Sequence, residues 1–147
     1  MMETMQLMTI QDIEVGQRAE RTNTVTQEMV YAFADITGDK NPIHLNKEYA
    51  EGTFFKKQVA HGTLLTGLIS AVLGMQLPGP GAIYAFQDLN FKKPVYFEDE
   101  ITAFAEVITV DKEHNRVTFK TGCLNQNNEV VAEGSSILLP SKKQTHK

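Results

Sequence analysis

A chain of 147 residues with 41% hydrophobic content can bury one continuous core, and a single domain is expected. Fourteen Lys and Arg against eighteen Asp and Glu give a net charge of -4, so the overall balance offers nothing to nucleic acid or to an anionic membrane surface. Cys123 is the sole cysteine, which excludes an intrachain disulfide and, without a neighbouring His or Asp motif, makes no metal site. Residues 1–8 lack the basic cluster and apolar run of a signal peptide. The most apolar stretch, 64–77, is shorter than the roughly 20 residues that span a bilayer. The expectation is a soluble, cytoplasmic protein with no membrane partner.

In chain order, residues 19–25 alternate weakly and predict a strand, after which Thr26 can cap a helix carrying Met29, Val30, Phe33, Ala34 and Ile36 at helical spacing. Gly38 stops that helix, and Asn41-Pro42 cannot continue it because Pro42 lacks an N–H and disfavours helical geometry in the residue before it. Residues 39–44 are therefore expected as a rigid loop, followed by a short helix from Lys47 to about Glu51 that Asn46 caps and Gly52 ends. Between His61 and Gln76 apolar residues surround most of the helical circumference, the pattern of a buried helix. Pro78-Gly79-Pro80-Gly81 ends it, and strands are expected over 83–91, 100–110, 116–125 and 129–139. Short polar turns at 111–115 and 126–128 favour antiparallel hairpins and a four-strand meander. The predicted fold is α+β: one domain over 1–147, with a core of about 10–140, in which a curved antiparallel sheet wraps a long central helix, the hot-dog arrangement. Uncovered sheet edges imply at least a homodimer, and residues 141–147 read as a short frayed tail.

Chemistry concentrates in Gly38-Asp39-Lys40-Asn41-Pro42-Ile43-His44, where a carboxylate and an imidazole stand five positions apart. Such a pair can share one water molecule, one group taking its proton while the other orients it or returns a proton to a reacting carbon. Taken singly, Asp39 is also a turn former and His44 a possible structural histidine. A second motif, Val59-Ala60-His61-Gly62-Thr63, opens the buried helix. The first N–H groups of a helix lack internal partners and can hold a developing negative charge, and Gly62 lets a carbonyl approach the backbone closely; Gly62 is equally explicable as a permissive residue at a helix entry. His61 is expected to orient the helix entry or the facing loop and is a secondary candidate for substrate binding, together with Asn41. Ser70, eight residues beyond Gly62, falls about two turns along the helix and either lines the pocket or bonds a carbonyl one turn back. Lys56-Lys57 and Lys92-Lys93 are local basic pairs that can meet phosphates or simply be solvated.

These residues resemble the MaoC-like family of (R)-specific enoyl-CoA hydratases, whose pattern is a helix, then Gly-Asp-x-Asn-Pro-Ile-His, then Ala-His-Gly opening the central helix. The likeness extends to Asp12-Ile13-Glu14-Val15-Gly16, Tyr49-Ala50, Phe91-Lys92-Lys93-Pro94-Val95 and Gly134, from about Ile10 to Pro140. The resemblance implies hydration of a trans-2-enoyl thioester to the (R)-3-hydroxyacyl thioester without metal or redox cofactor. It implies Asp39 and His44 as the acid and base that hold the water, Gly62 as the oxyanion donor, and Ser70 as a polar active-site position. Glu98-Asp99 departs from the Gly-Asp of many relatives, in a turn remote from both motifs. Neither the carrier, coenzyme A or acyl carrier protein, nor the division of labour between Asp39 and His44 follows from the sequence. Two readings of another class are a hot-dog thioesterase, against which the central helix lacks an acidic residue, and a thioester-binding domain without catalysis.

Overall fold

In the computed structural model, which describes residues 5–142 and 145–146, a six-stranded antiparallel sheet curves around one long helix. The chain begins with β1 (Met5–Gln6), a 3-10 turn (Ile10–Asp12) closed by a Thr9–Asp12 capping box, and β2 (Arg18–Thr24). Three helices follow: α1 (Gln27–Thr37), α2 (Pro42–Leu45) and α3 (Lys47–Glu51). The central helix α4 (Gly62–Met75) comes next. The chain then forms β3 (Ile83–Gln87), β4 (Asn90–Phe91), β5 (Glu100–Asp111), β6 (Arg116–Leu124), β7 (Val130–Leu139) and β8 (Thr145–His146).

α4 is the hydrophobic axis of the molecule. Leu65, Ile69, Val72 and Leu73 are at most 2% exposed, packed against inward residues such as Ile101, Ala103, Val117 and Phe119. Burying a large apolar side chain contributes about 1.5–3 kcal/mol, so this one helix face and its sheet account for much of the driving force for folding. This is the hot-dog arrangement expected from the sequence. None of the helices among the described residues is long and apolar enough to cross a membrane.

Four expectations need correction. Residues 39–44 are not all loop: Pro42 starts the helical turn α2, because at the first helical position its missing N–H costs nothing and its fixed φ suits the helix. The sheet order is β2-β5-β6-β7-β3, so only β5, β6 and β7 form a meander. β3 lies beyond β7, while β2 takes the other edge against β5. The strand expected over 83–91 is divided into β3 and β4, both paired with β7. At the break, the Asp88 side chain accepts from the Ser135 N–H at 2.7 Å and the Asp88 N–H donates to the Ser135 carbonyl at 3.0 Å. The Asp88 carbonyl crosses so close to Gly134 that a Cβ there would lie 2.1 Å away, which is why a glycine occupies this point of β7. Within the polar tail, Thr145–His146 pairs antiparallel to Met5–Gln6 where fraying was expected.

Candidate active site

The loop after α1 is built by short-range bonds. Gly38, at φ +83°, takes the left-handed conformation that closes α1 and donates its N–H to the Ala34 carbonyl at 2.8 Å. The Asp39 N–H donates to Thr37 Oγ1 at 3.1 Å, and Asp39 Oδ1 accepts a long 3.4 Å bond from the Asn41 N–H. Asn41 Oδ1 accepts from the Ile43 N–H at 3.2 Å and so caps α2. α2 carries His44 inward, where the residue is only 8% exposed. Gln58 secures α2 from outside, donating from Nε2 to the His44 carbonyl at 2.8 Å and to the Tyr31 hydroxyl at 3.1 Å.

The segment leading into α4 is held from two sides. The Val59 N–H donates to the Ile43 carbonyl at 3.3 Å, and the Ala60 N–H to the Val95 carbonyl at 2.8 Å. The Val59 carbonyl lies 2.7 Å from His44 Nδ1. A carbonyl can only accept, so Nδ1 carries the hydrogen and Nε2 of neutral His44 presents its lone pair. The His61 ring stacks on His44 with centroids 3.7 Å apart and planes at 26°, and its Nε2 donates to the Asp39 main-chain carbonyl at 2.9 Å. His61 is the N-cap of α4 yet makes no side-chain cap bond, so the first amides of the central helix are not closed off by their own cap residue.

These groups line a cavity of about 540 Å³ together with Phe54, Phe55, Phe91 and the stretch Lys92-Lys93-Pro94-Val95. Its walls are mostly apolar with polar groups converging at one end, the usual build of a small-molecule site. One donor atom each from Asp39, His44 and His61 lies within 4.8 Å of the others. A water with two hydrogen bonds of about 2.8 Å at a tetrahedral angle spans about 4.6 Å, so one water can bridge the carboxylate and the imidazole.

Burial lowers the His44 pKa from its ordinary 6.5; the Val59 carbonyl opposes this, His61 adds to it, and Asp39 opposes it. His44 is therefore held toward its neutral, proton-accepting form near pH 7. Gly62 sits under Phe91, whose ring would lie 2.9 Å from a Cβ at this position. A Cβ there would have to push this exposed ring aside as well as meet any ligand carbonyl.

Of the residues singled out in the sequence, Asp39, His44, His61 and Gly62 line one cavity. Asn41 and Ser70 are not among its lining residues: Asn41 is an exposed cap, and eight helical residues carry Ser70 about 12 Å from Gly62 and about 80° round the axis. Lys92 and Lys93 reach the rim, where they pair with Glu133 at 3.9 Å and Glu129 at 3.1 Å; Lys56 and Lys57 do not line the cavity. The Val59 carbonyl and Gln58, which hold His44, escaped sequence reasoning because a main-chain acceptor has no side-chain signature and a glutamine before a motif is unremarked.

Residues 9–132 match the MaoC like domain. The chain is 42% identical over 132 residues to the (R)-specific enoyl-CoA hydratase of Rhodospirillum rubrum, covering 90% of this chain and 92% of that protein. It is 39% identical over 144 residues to the 3-hydroxybutyryl-CoA dehydratase of Methylorubrum extorquens, covering 98% and 91%. Among solved structures, the unliganded R-hydratase PhaJ1 of Pseudomonas aeruginosa superposes with a TM-score of 0.90 at 36% identity over 99% of this chain and 94% of that one. The two motifs, the cavity they share and the match over most of the length agree, and the chain belongs to the MaoC-like domain family.

Proposed function

We infer that this protein is a hydro-lyase that adds water reversibly across a trans-2-enoyl-CoA to give the (R)-3-hydroxyacyl-CoA. The observation that carries this is the convergence of Asp39, His44 and the uncapped start of α4 on one cavity. With the thioester carbonyl toward the Gly62 N–H, the helix entry stabilises the enolate oxygen as charge builds on it. A water held by the Asp39 carboxylate and His44 Nε2 stands where it can attack Cβ. His44 takes the proton as the C–O bond forms, and the imidazolium returns a proton to Cα as the enolate collapses. Asp39 orients the water and stabilises the transient imidazolium. Side chains and water suffice for this route, with no metal or redox cofactor.

The choice of coenzyme A over a carrier protein is supported by the names of the two relatives, at 42% and 39% identity. A thioesterase is disfavoured because the carboxylate of the cavity comes from the loop after α1 and α4 carries no acidic residue. Assembly as at least a dimer belongs to the same proposal: the outer strand β3 exposes Ile83 at 61% and Phe86 at 47%, an apolar edge for another copy to cover. A cytoplasmic location rests on the sequence alone.

The test is crotonyl-CoA hydration, followed by loss of the conjugated enoyl absorbance, with the chirality of the product determined. Asp39→Asn and His44→Gln should each lose roughly 10²–10⁴-fold in kcat while remaining folded. Release of free coenzyme A, or near-normal turnover by either variant, would overturn the assignment. Faster turnover of the carrier-protein thioester would replace the carrier.

A further inference from the structure

We propose that His61 is the positioning residue of this site, holding Asp39 by its main-chain carbonyl and His44 by its ring so that the pair handling the water keeps one geometry. The proposal rests on the hydratase reading and assigns a role in it to a residue that need not touch the reacting atoms. The reactive groups arrive on three separate elements: Asp39 follows α1, His44 lies in α2, and Gly62 opens α4. His61 joins all three. It is bonded covalently to Gly62, stacks on His44 at 3.7 Å, and donates from Nε2 to the Asp39 carbonyl at 2.9 Å across 22 residues of chain.

Asp39 needs that anchor. It is exposed, and among the described residues its carboxylate makes only the long 3.4 Å bond within its own turn. His61 itself is only 2% exposed and is wedged against Phe33, with ring centroids 4.8 Å apart, so its ring cannot swing away. A histidine serving only the helix would turn its side chain to the α4 amides; this one makes no cap bond and reaches across to the loop instead. Displacing a reacting group by about 1 Å costs about 10²-fold in rate, which sets the scale of the expected effect.

Two variants separate the two contacts. His61→Phe keeps a ring against His44 and removes the donor, whereas His61→Gln keeps an amide donor of similar reach and removes the ring. We expect His61→Phe to lower kcat about 10²-fold with KM within about threefold, and His61→Gln to recover about tenfold of that loss. Amide hydrogen exchange at residues 39–41, read by NMR without substrate, should rise in His61→Phe and stay near wild type in His61→Gln. Wild-type kcat in His61→Phe would overturn the proposal. So would equal losses in both variants with unchanged exchange at 39–41. If His61→Phe does not fold, His61→Asn, whose amide falls short of the carbonyl, takes its place in the exchange comparison with His61→Gln. A wild-type protein inert toward enoyl-CoA would refute the hydratase reading instead, and the exchange comparison would still decide whether His61 anchors Asp39.

Discussion

The four α-helices among the described residues begin in two different ways. α1, α2 and α3 start on Thr26, Asn41 and Asn46, whose side chains accept from helix amides at 3.1, 3.2 and 2.9 Å. α4 starts on His61, which makes no such bond and spends its donor on Asp39. A good cap stabilises a helix by about 1 kcal/mol, and the three peripheral helices, at 11, 4 and 5 residues, need that contribution. α4 is held far more strongly, by burial of Leu65, Ile69, Val72 and Leu73, and can leave its entry open. The difference separates ends that serve folding from an end left available for chemistry, and that open end faces the cavity.

The sharpest way to break this comparison is at the open end. Gly62→Ala would set a Cβ 2.9 Å from the Phe91 ring and between the backbone and an approaching carbonyl. A fall in kcat/KM of about 10²–10³-fold is expected, the scale of losing an oxyanion donor. Because Phe91 is 54% exposed and can yield, the melting temperature should change little. An unimpaired Gly62→Ala enzyme would show that no carbonyl approaches there.

Acidity gives the next effect. The His44 pKa is lowered, first by burial, so the neutral imidazole persists below pH 6.5 and kcat/KM should fall about tenfold per pH unit only once pH drops beneath the lowered value. Stability follows the same sign. Between the folded and unfolded pKa values the unfolded chain binds more protons, so the contribution of His44, fully present above about 6.5, is lost as pH falls through the folded value. An acidic limb at or above pH 6.5, or a His44→Gln protein with an unchanged acid dependence of stability, would contradict this account.

The smallest effect belongs to a capped end. Thr26→Ala removes the 3.1 Å bond to the Met29 N–H and should cost about 1 kcal/mol, or about 4 °C in Tm, with kcat/KM within about twofold of wild type. A large activity loss there would erase the distinction between the two kinds of helix entry.

Much of the fold is legible along the chain because its signals are local. The Thr26 cap, the Gly38 stop, the Asn46 cap and the apolar circumference of 61–76 each depend on neighbours within a turn or two. The split between β3 and β4 was not legible, since it depends on Asp88 meeting Ser135 and Gly134 across the sheet, 47 residues away in the case of Ser135. Sheet order was lost for the same reason: hairpin turns report which strands are consecutive but not which edge a distant strand joins. In the site, Asp39 and His44 were visible through their residue types and the proline-braced spacing between them. The Val59 carbonyl that sets the His44 tautomer was invisible, and so was the Phe91 ring over Gly62.

Residue types and local spacing establish which groups are present and how each is held by its neighbours: a carboxylate, an imidazole five residues on, and a glycine opening an apolar helix. That these groups face one another, with His61 tying them together, comes from the folded chain. The arrangement requires the segment 59–60 to be pinned between Ile43 and Val95, contacts 16 and 35 residues apart in the chain. Hydrogen bonds and ring stacking at such separations exist only after the core around α4 has closed, so no local pattern of residues encodes them.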